Sequence, residues 1–246
     1  DHAGGVGALL TKYPDAEILV TKKVHELMLT HLPQIVGRYR LVADGETISL
    51  GTKSLTVKSI PFAHWPDNTM LLLDRPCWLF SSDLFGSHYA LADGEAAAEE
   101  IMMPYRHMVT KYAAWTRETN PEKILPAHGP VWHDPNVIMS RYERWTSDDV
   151  SDRIVVIYVS MHESTRAMVE RLTQRLAAQG ARVTAHDIGD EHTDLRTVVG
   201  EAMHKAVNAA AVVLATPTVL GGPHPNMAFA AVLMNALKPK AKRLAL

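Results

Sequence analysis

The second half of the sequence alternates between strand-like and helix-like segments, and this alternation limits the folds it can adopt. The strand-like segments are 153–159, 181–187 and 209–215. The helix-like segments, which carry apolar residues at helical spacing, are 164–179, 193–207 and 226–237. Because neighbouring parallel strands must be joined by a crossover, usually a helix, this order predicts a parallel, doubly wound α/β sheet.

The first half has a different pattern, in which short strands and loops dominate. Two of its turns carry residues typical of β-hairpins, and each is predicted to join two antiparallel strands. The predicted hairpins are 38–42 with 46–50 around Ala43-Asp44-Gly45, and 70–73 with 77–81 around Asp74-Arg75-Pro76.

Two helical segments follow in the same half. Good helix formers at helical spacing predict helix in 92–118, where Pro104 should end or kink one piece. A second helix is predicted in 134–145, because Asp134 can cap its N-terminus and Pro135 suits its first position.

The chain has 246 residues, which is enough for one large domain or two ordinary ones. The short polar stretch 146–152 predicts a linker, so we expect domains at 1–148 and 152–246. Both ends look cut, since the sequence starts at Asp1 and stops in 242–246, which has the pattern of a strand beginning. We therefore expect an internal fragment of a longer protein.

The composition narrows the class of partner. A hydrophobic content of 47% and a charged content of 21% are typical of a globular protein. A formal net charge of -2 gives no reason to expect nucleic acid or a membrane surface as the main partner. No apolar run approaches the roughly 18 residues of a membrane span. The single cysteine, Cys77, excludes an intramolecular disulfide framework and favours a cytoplasmic location.

Metal-ligand residue types follow strand-like segments at several points of the first half. Rigid strand ends can hold ligands around a metal with little play. Imidazole with carboxylate suits iron, zinc or manganese, and a carboxylate can bridge two metals. No cysteine belongs to the set, which disfavours a structural zinc site. The candidate ligands are Asp1, His2, His64, Asp83 and His128.

Two loops of the second half are candidates for binding a phosphorylated cofactor. The first joins a parallel strand to a helix N-terminus, where hydroxyls, backbone N–H groups and the helix dipole favour an anion. The alternative is that Ser164 only caps the helix. Neither loop contains GxGxxG, so a tightly bound nicotinamide cofactor is not expected. The candidate residues are Ser160, Met161, His162, Glu163, Ser164 and Thr165 in the first loop, and Thr216, Pro217, Thr218, Val219, Leu220, Gly221 and Gly222 in the second.

These motifs, in this order, resemble those of flavodiiron proteins (A-type flavoproteins). The metal motifs are Asp-His-Ala-Gly-Gly at 1–5, His-Trp-Pro-Asp-Asn at 64–68, Ser-Asp-Leu-Phe-Gly at 82–86 and Leu-Pro-Ala-His-Gly at 125–129. The loops resemble the flavin loops of the same family, although Glu163 stands where a glycine is common. The resemblance implies an N-terminally truncated metallo-β-lactamase-like αββα sandwich, followed by a C-terminally truncated flavodoxin-like domain.

The resemblance also implies the cofactors and their ligands. FMN would bind the two loops, and two irons would form a non-haem di-iron centre. His64 and His128 would each ligate one iron, and Asp83 would bridge the pair. Asp1 and His2 would complete the iron that His128 binds. No catalytic residue beyond these ligands is implied.

By the same resemblance, the complete protein would reduce dioxygen to water, nitric oxide to nitrous oxide, or both. Its electrons would come from a donor such as a rubredoxin or a flavin reductase, and it would form a head-to-tail homodimer or a dimer of dimers. The first alternative is a zinc-dependent hydrolase of the metallo-β-lactamase fold with an accessory flavodoxin-like domain. The second is an electron carrier or regulatory protein whose metal site has lapsed.

Overall fold

A computed structural model describes residues 4–31, 37–86, 102–190 and 192–245. Its contacts divide the chain into two compact units. Among the described residues, the first unit holds 4–31, 37–86 and 111–140, and the second holds 102–110, 141–190 and 192–245. Residues 141–148 belong to the second unit by their contacts. The domain boundary predicted near 148–152 therefore stays a prediction.

The first unit contains a parallel pair of strands and a five-stranded sheet. The pair consists of β1 (Ile18–Val20) and β2 (Tyr39–Leu41). The larger sheet has the order β3-β4-β5-β6-β7 and is antiparallel except for the parallel pair β6 and β7. Its strands are β3 (Thr47–Ser49), β4 (Ser54–Ser59), β5 (Thr69–Leu73), β6 (Trp78–Ser82) and β7 (Lys123–Pro126).

Among the described residues, four helices accompany these strands in the sequence. They are α1 (Val6–Lys12), α2 (Lys22–His31), α3 (Arg106–Thr119) and α4 (Pro135–Thr146). A 3₁₀ turn, Met103–Tyr105, precedes α3 and contains Pro104 as expected, whereas 92–101 lie outside the described residues. The cap predicted for α4 is confirmed, because Asp134 Oδ1 accepts a hydrogen bond from Asn136 N at 3.0 Å.

One of the two predicted hairpins is wrong and the other is confirmed. The strand β2 pairs in parallel with β1, and β3 pairs with β4. The turn at 43–45 still forms, but Gly45 N donates to Val57 O in β4 at 2.8 Å. After the turn, the chain therefore enters the five-stranded sheet and does not pair with β2. The hairpin β5–β6 is antiparallel, with Leu73 opposite Trp78.

The second unit is built on a four-stranded sheet in the order β13-β10-β8-β9, and every pair is parallel. The predicted doubly wound α/β fold is therefore confirmed. The strands are β8 (Arg153–Tyr158), β9 (Arg182–Asp187), β10 (Ala211–Ala215) and β13 (Arg243–Ala245). The helices are α5 (Ser164–Ala178), α6 (Leu195–Ala206) and α7 (Pro225–Leu237), and a small antiparallel pair is formed by β11 (Thr218–Val219) and β12 (Gly222–Pro223).

The core of this unit lies between the sheet and α6 and α7. It includes the central-strand residues Val155, Ile157 and Val212, which are at most 1% exposed. Small side chains on the two helices, Ala206 and Ala230, are fully buried in the same cluster. Apolar runs in the central strands and small residues on the helices follow from a sheet covered by helices.

The strand order places a ligand crevice in the second unit. The first strand, β8, has β9 on one side and β10 on the other, so the winding of the chain reverses between β8 and β10. Doubly wound sheets bind ligands at such a switch point, beyond the carboxyl ends of the strands. The loops that follow β8 and β10 are the two predicted cofactor loops.

A buried histidine in β9 makes the stability of this unit depend on pH. His186 is 7% exposed, and within the described part of the chain its Nε2 has no hydrogen-bond partner. Burial, with a smaller effect of nearby Lys205, lowers the pKa of His186 in the folded state. As the pH falls below about 6.5, the unfolded chain therefore takes up a proton that the folded chain resists, and stability is lost.

We expect His186→Leu to flatten the loss of stability in acid. One proton contributes a slope of at most about 1.4 kcal/mol per pH unit to the free energy of unfolding. Urea unfolding at several pH values between 5 and 7.5 would measure the slope in the parent and the variant. Equal slopes in the two proteins would contradict the assignment to His186.

No helix among the described residues is long and apolar enough to cross a membrane.

Candidate metal centre and flavin site

The strand directions of the first sheet bring three predicted ligands to one edge. Because β4 and β6 both run opposite to β5, and β7 runs parallel to β6, the carboxyl ends of β4, β6 and β7 share that edge. His64 follows β4, Asp83 follows β6 directly, and His128 follows β7. Asp1 and His2 lie outside the described residues.

The three side chains form a carboxylate flanked by two imidazoles. His64 Nε2 lies 3.4 Å from Asp83 Oδ2, and His128 Nε2 lies 3.5 Å from Asp83 Oδ1. The Asp83 side chain is 2% exposed, whereas the two imidazoles remain partly accessible. One oxygen therefore faces each imidazole, which is the arrangement that a carboxylate bridging two metal ions requires.

This donor set fits two metals that share one carboxylate. In the part of the chain that the structure describes, no group of three or more His, Cys, Asp or Glu residues is placed to hold a single metal. The distances on the two sides of Asp83 would let each metal take one imidazole and one carboxylate oxygen from His64, Asp83 and His128, and each metal would need further ligands. Imidazole and carboxylate donors suit iron, zinc or manganese.

Close packing between two loops fixes the separation of Asp83 and His128. A Cβ atom on Gly86 would lie 2.9 Å from Asp83 O and 3.3 Å from His128 O, so a side chain there would force the loops apart. The indole of Trp132 donates to Phe85 O at 2.8 Å, and Trp132 also forms a β-bridge with Ile124. No sequence motif indicated this role of Trp132.

The two predicted cofactor loops lie at one edge of the second sheet. Their strands, β8 and β10, are adjacent and in register, with Tyr158 opposite Ala215. In the first loop, Ser160 Oγ accepts a hydrogen bond from Arg166 N at 3.2 Å, inside the first turn of α5. Ser164 is the first residue of α5 rather than its N-cap, so the capping alternative for its hydroxyl is wrong.

The structure explains why a glycine suits position 163. Glu163 precedes α5 with a φ of 59°, in the left-handed region that costs residues with a Cβ roughly 1–2 kcal/mol. Its carboxylate lies 3.1 Å from Arg166 Nη1, and Arg166 Nη2 lies 2.8 Å from Asp187 Oδ2. The hydrogen bond to Asp187 raises the pKa of Arg166 above its ordinary value. The charge of Glu163 is thus partly neutralised by a cation that sequence reasoning missed.

We expect Glu163→Gly to stabilise the protein and to tighten flavin binding. Glycine removes the cost of the left-handed backbone, but it also raises the conformational entropy of the unfolded chain, which offsets part of that gain. The free energy of unfolding should rise by roughly 0.5–1 kcal/mol. Losing a negative charge beside a phosphate should tighten flavin binding about three- to tenfold. Thermal unfolding and flavin fluorescence titration measure the two effects. Glu163→Gln keeps the backbone cost, so it should tighten binding without the gain in stability, and a weaker complex in both variants would contradict this account.

The second loop is tied to its surroundings at both ends. Thr216 Oγ1 accepts a hydrogen bond from His224 N at 3.1 Å, and Asn226 Nδ2 donates to Ile188 O at 2.7 Å. At its tip, Leu220 and Gly221 have φ values of 49° and 81°, and Leu220 is fully exposed. The hydrogen bonds hold the loop in place, and its tip exposes the apolar side chain of Leu220 to solvent.

The chain is similar in sequence to proteins of known function. No protein-family model matches the chain. The chain is 29% identical to the coenzyme F420H2 oxidase of Methanothermobacter marburgensis over an alignment of 257 residues, which covers 97% of this chain and 62% of that protein. It is 30% identical to the nitric oxide reductase of Moorella thermoacetica over 236 residues, covering 89% and 58% respectively. The chain thus spans about three fifths of the length of these relatives.

The solved structures agree with the two units described above. The rubredoxin oxygen:oxidoreductase of Desulfovibrio gigas matches with a TM-score of 0.89 and 24% identity over 100% of this chain and 65% of that one. The fold is therefore a metallo-β-lactamase-like domain followed by a flavodoxin-like domain, as predicted. Within that fold class, the sequence relatives support the predicted resemblance to flavodiiron proteins. The solved flavodiiron structures, at 21–22% identity, show that the fold is shared.

Proposed function

We propose that the full-length protein reduces dioxygen to water, nitric oxide to nitrous oxide, or both, at a non-haem di-iron site supplied with electrons through FMN. The observation that carries this proposal is the Asp83 carboxylate, which offers one oxygen to the side of each imidazole. The flavodoxin-like domain in the same chain disfavours the hydrolase alternative, because hydrolysis has no use for FMN. The names of the relatives support both gases as substrates.

In this proposal each side chain has one binding role. His64 would ligate one iron and His128 the other, Asp83 would bridge them, and Asp1 with His2 would complete the iron that His128 binds. A di-iron centre supplies the redox equivalents and the Lewis acidity for reducing a small gas. The buried position of Asp83 keeps water away from the bridging carboxylate and strengthens its attraction to the cations.

FMN is proposed to bind across the switch point of the second sheet. The loop from Ser160 to Thr165 would hold the phosphate at the N-terminus of α5, where the helix dipole favours an anion. The loop from Thr216 to Gly222 would face the isoalloxazine ring, and the exposed side chain of Leu220 at its tip would offer an apolar contact. The strand order β9-β8-β10 supports this placement.

The electron donor, the assembly and the location belong to the same proposal. A rubredoxin or a flavin reductase would reduce the FMN, in line with the rubredoxin named for the Desulfovibrio gigas protein. A head-to-tail homodimer, or a dimer of such dimers, would bring the FMN of one subunit to the irons of the other. The protein would be located in the cytoplasm, because a single cysteine is typical of a reducing compartment. Light scattering at working concentration would test the assembly, and a monomer would count against it.

The test of the activity is turnover of each gas, started by adding a measured amount of dioxygen or nitric oxide to an assay that is otherwise free of oxygen. Full-length protein would be supplied with NADH, a flavin reductase and a rubredoxin, and the consumption of dioxygen or nitric oxide would be followed with an electrode. Consumption that depends on the full-length protein supports the proposal. Ester or phosphodiester hydrolysis by a zinc-loaded protein, without gas consumption, would overturn it in favour of the hydrolase.

A further inference from the structure

The side chain of Asn68 links the His64 loop to the carboxylate of Asp83. Its amide nitrogen Nδ2 donates a hydrogen bond to Ala63 O, the carbonyl that directly precedes His64. The same nitrogen donates to Asp83 Oδ2 at 3.3 Å. That oxygen is the one that faces His64 Nε2 at 3.4 Å. One amide group therefore contacts both the loop of one proposed ligand and the carboxylate of another.

The backbone of Asn68 has a separate task, which is closing the loop. Ile60 N donates to Asn68 O at 2.8 Å, and Asn68 N donates to Trp65 O at 3.4 Å. These backbone contacts do not depend on the side chain. A side-chain substitution at position 68 therefore keeps these backbone contacts, while it removes the amide's hydrogen bonds to Ala63 O and to the carboxylate.

The chemistry of an amide suits a group beside a bridging carboxylate. A carboxylate can rotate about its Cβ–Cγ bond, and a bridge forms only when one oxygen points to each metal. A hydrogen-bond donor on one oxygen fixes that rotation. A lysine or arginine would also donate, but its positive charge would oppose two metal cations, whereas the neutral amide adds no charge.

We propose that Asn68 is a positioning residue, which presets the rotation of the Asp83 carboxylate for two metals. This inference rests on the proposed di-iron site. Groups that hydrogen-bond to metal ligands typically contribute 10- to 100-fold to metal affinity. The sequence contains Asn68 inside the His-Trp-Pro-Asp-Asn motif, but sequence reasoning assigned it no role.

The experiment measures metal affinity separately from activity. Asn68→Leu keeps the volume of the side chain and removes the donor. The full-length protein, stripped of metal with a chelator, would be titrated with Co²⁺ in the presence of a competing indicator, and its visible spectrum recorded. We expect affinity to fall about 10- to 100-fold and the Co²⁺ bands to change. The unfolding midpoint of the metal-free protein should fall by no more than about 4 °C, because the substitution also removes the hydrogen bond to Ala63 O.

A matched control is available in the same unit. Asn136 also donates from Nδ2 to an aspartate, Asp134 Oδ1, at 3.1 Å, at the start of α4 and away from the ligands. Asn136→Leu should leave Co²⁺ affinity unchanged. If Asn68→Leu fails to fold, Asn68→Ala removes the same donor with a smaller side chain.

The outcomes separate this inference from the proposed function. A parent protein that binds two Co²⁺ ions, with Asn68 variants that bind them equally tightly, overturns the positioning role alone. A lower unfolding midpoint with unchanged Co²⁺ affinity also overturns it, since the role would then be structural. A parent protein that binds no Co²⁺ overturns the proposed function and this inference together.

Discussion

Replacing Asp83 by asparagine is expected to leave the protein folded and to abolish its two-metal centre. The carboxylate lies between His64 and His128 with one oxygen towards each, so it is the ligand that we propose both metals share. An asparagine has the same shape but only one oxygen and no charge. We expect the metal content to fall to one ion per chain or fewer. The rate of gas reduction should fall at least about a hundredfold, because losing a metal ligand should cost at least as much as losing a group that hydrogen-bonds to one, which costs up to about a hundredfold.

Elemental analysis and turnover of the purified variant would measure these losses, and circular dichroism would show whether it folds. Asp15→Asn is the matched control, since this carboxylate is exposed in the same unit and should affect neither quantity. An Asp83→Asn protein that keeps two metals per chain would show that the carboxylate does not bridge.

Replacing Thr165 by aspartate is expected to abolish flavin binding without weakening the fold. Thr165 lies in the first turn of α5, where the FMN phosphate is proposed to bind. Two unit charges about 4 Å apart near a protein surface repel by about 4 kcal/mol, and the phosphate carries more than one. We therefore expect flavin affinity to fall at least about a hundredfold. An acidic residue in the first turn of a helix is itself favourable, so the unfolding midpoint should not fall.

Flavin fluorescence titration and thermal unfolding of the flavin-free protein test both parts. Gln174→Glu adds the same charge to an exposed position further along α5, and should leave flavin affinity within about twofold because the charge is screened at that distance. Undiminished flavin affinity in Thr165→Asp would place the phosphate elsewhere.

The parts of the fold that the sequence predicted are those set by local patterns. The strand and helix segments after residue 150 agree with β8 to β10 and α5 to α7 within about two residues, because apolar periodicity follows directly from burial. The hairpin at 38–50 was predicted wrongly because strand pairing does not depend on local sequence alone. Ala43-Asp44-Gly45 specifies a reversal of the chain, but strand pairing is decided by distant partners, here Val57 for Gly45.

The candidate site was predictable where one rule applied, that functional residues follow strands. This rule found His64, Asp83 and His128, which the structure brings together. It could also have found Asp187, the last residue of β9, which binds Arg166. No local rule finds Arg166 or Asn68, because their roles depend on contacts across the fold. The left-handed backbone at Glu163 explains why a glycine suits this position, which the sequence alone did not show.

The cofactor content of the full-length protein tests most directly whether a flavin domain is joined to a two-metal domain of iron type. The protein would be purified without oxygen and examined by elemental analysis and visible absorption. We expect about two irons and one FMN per chain. Zinc without flavin would contradict this expectation and favour the hydrolase, and FMN without metal would favour an electron carrier.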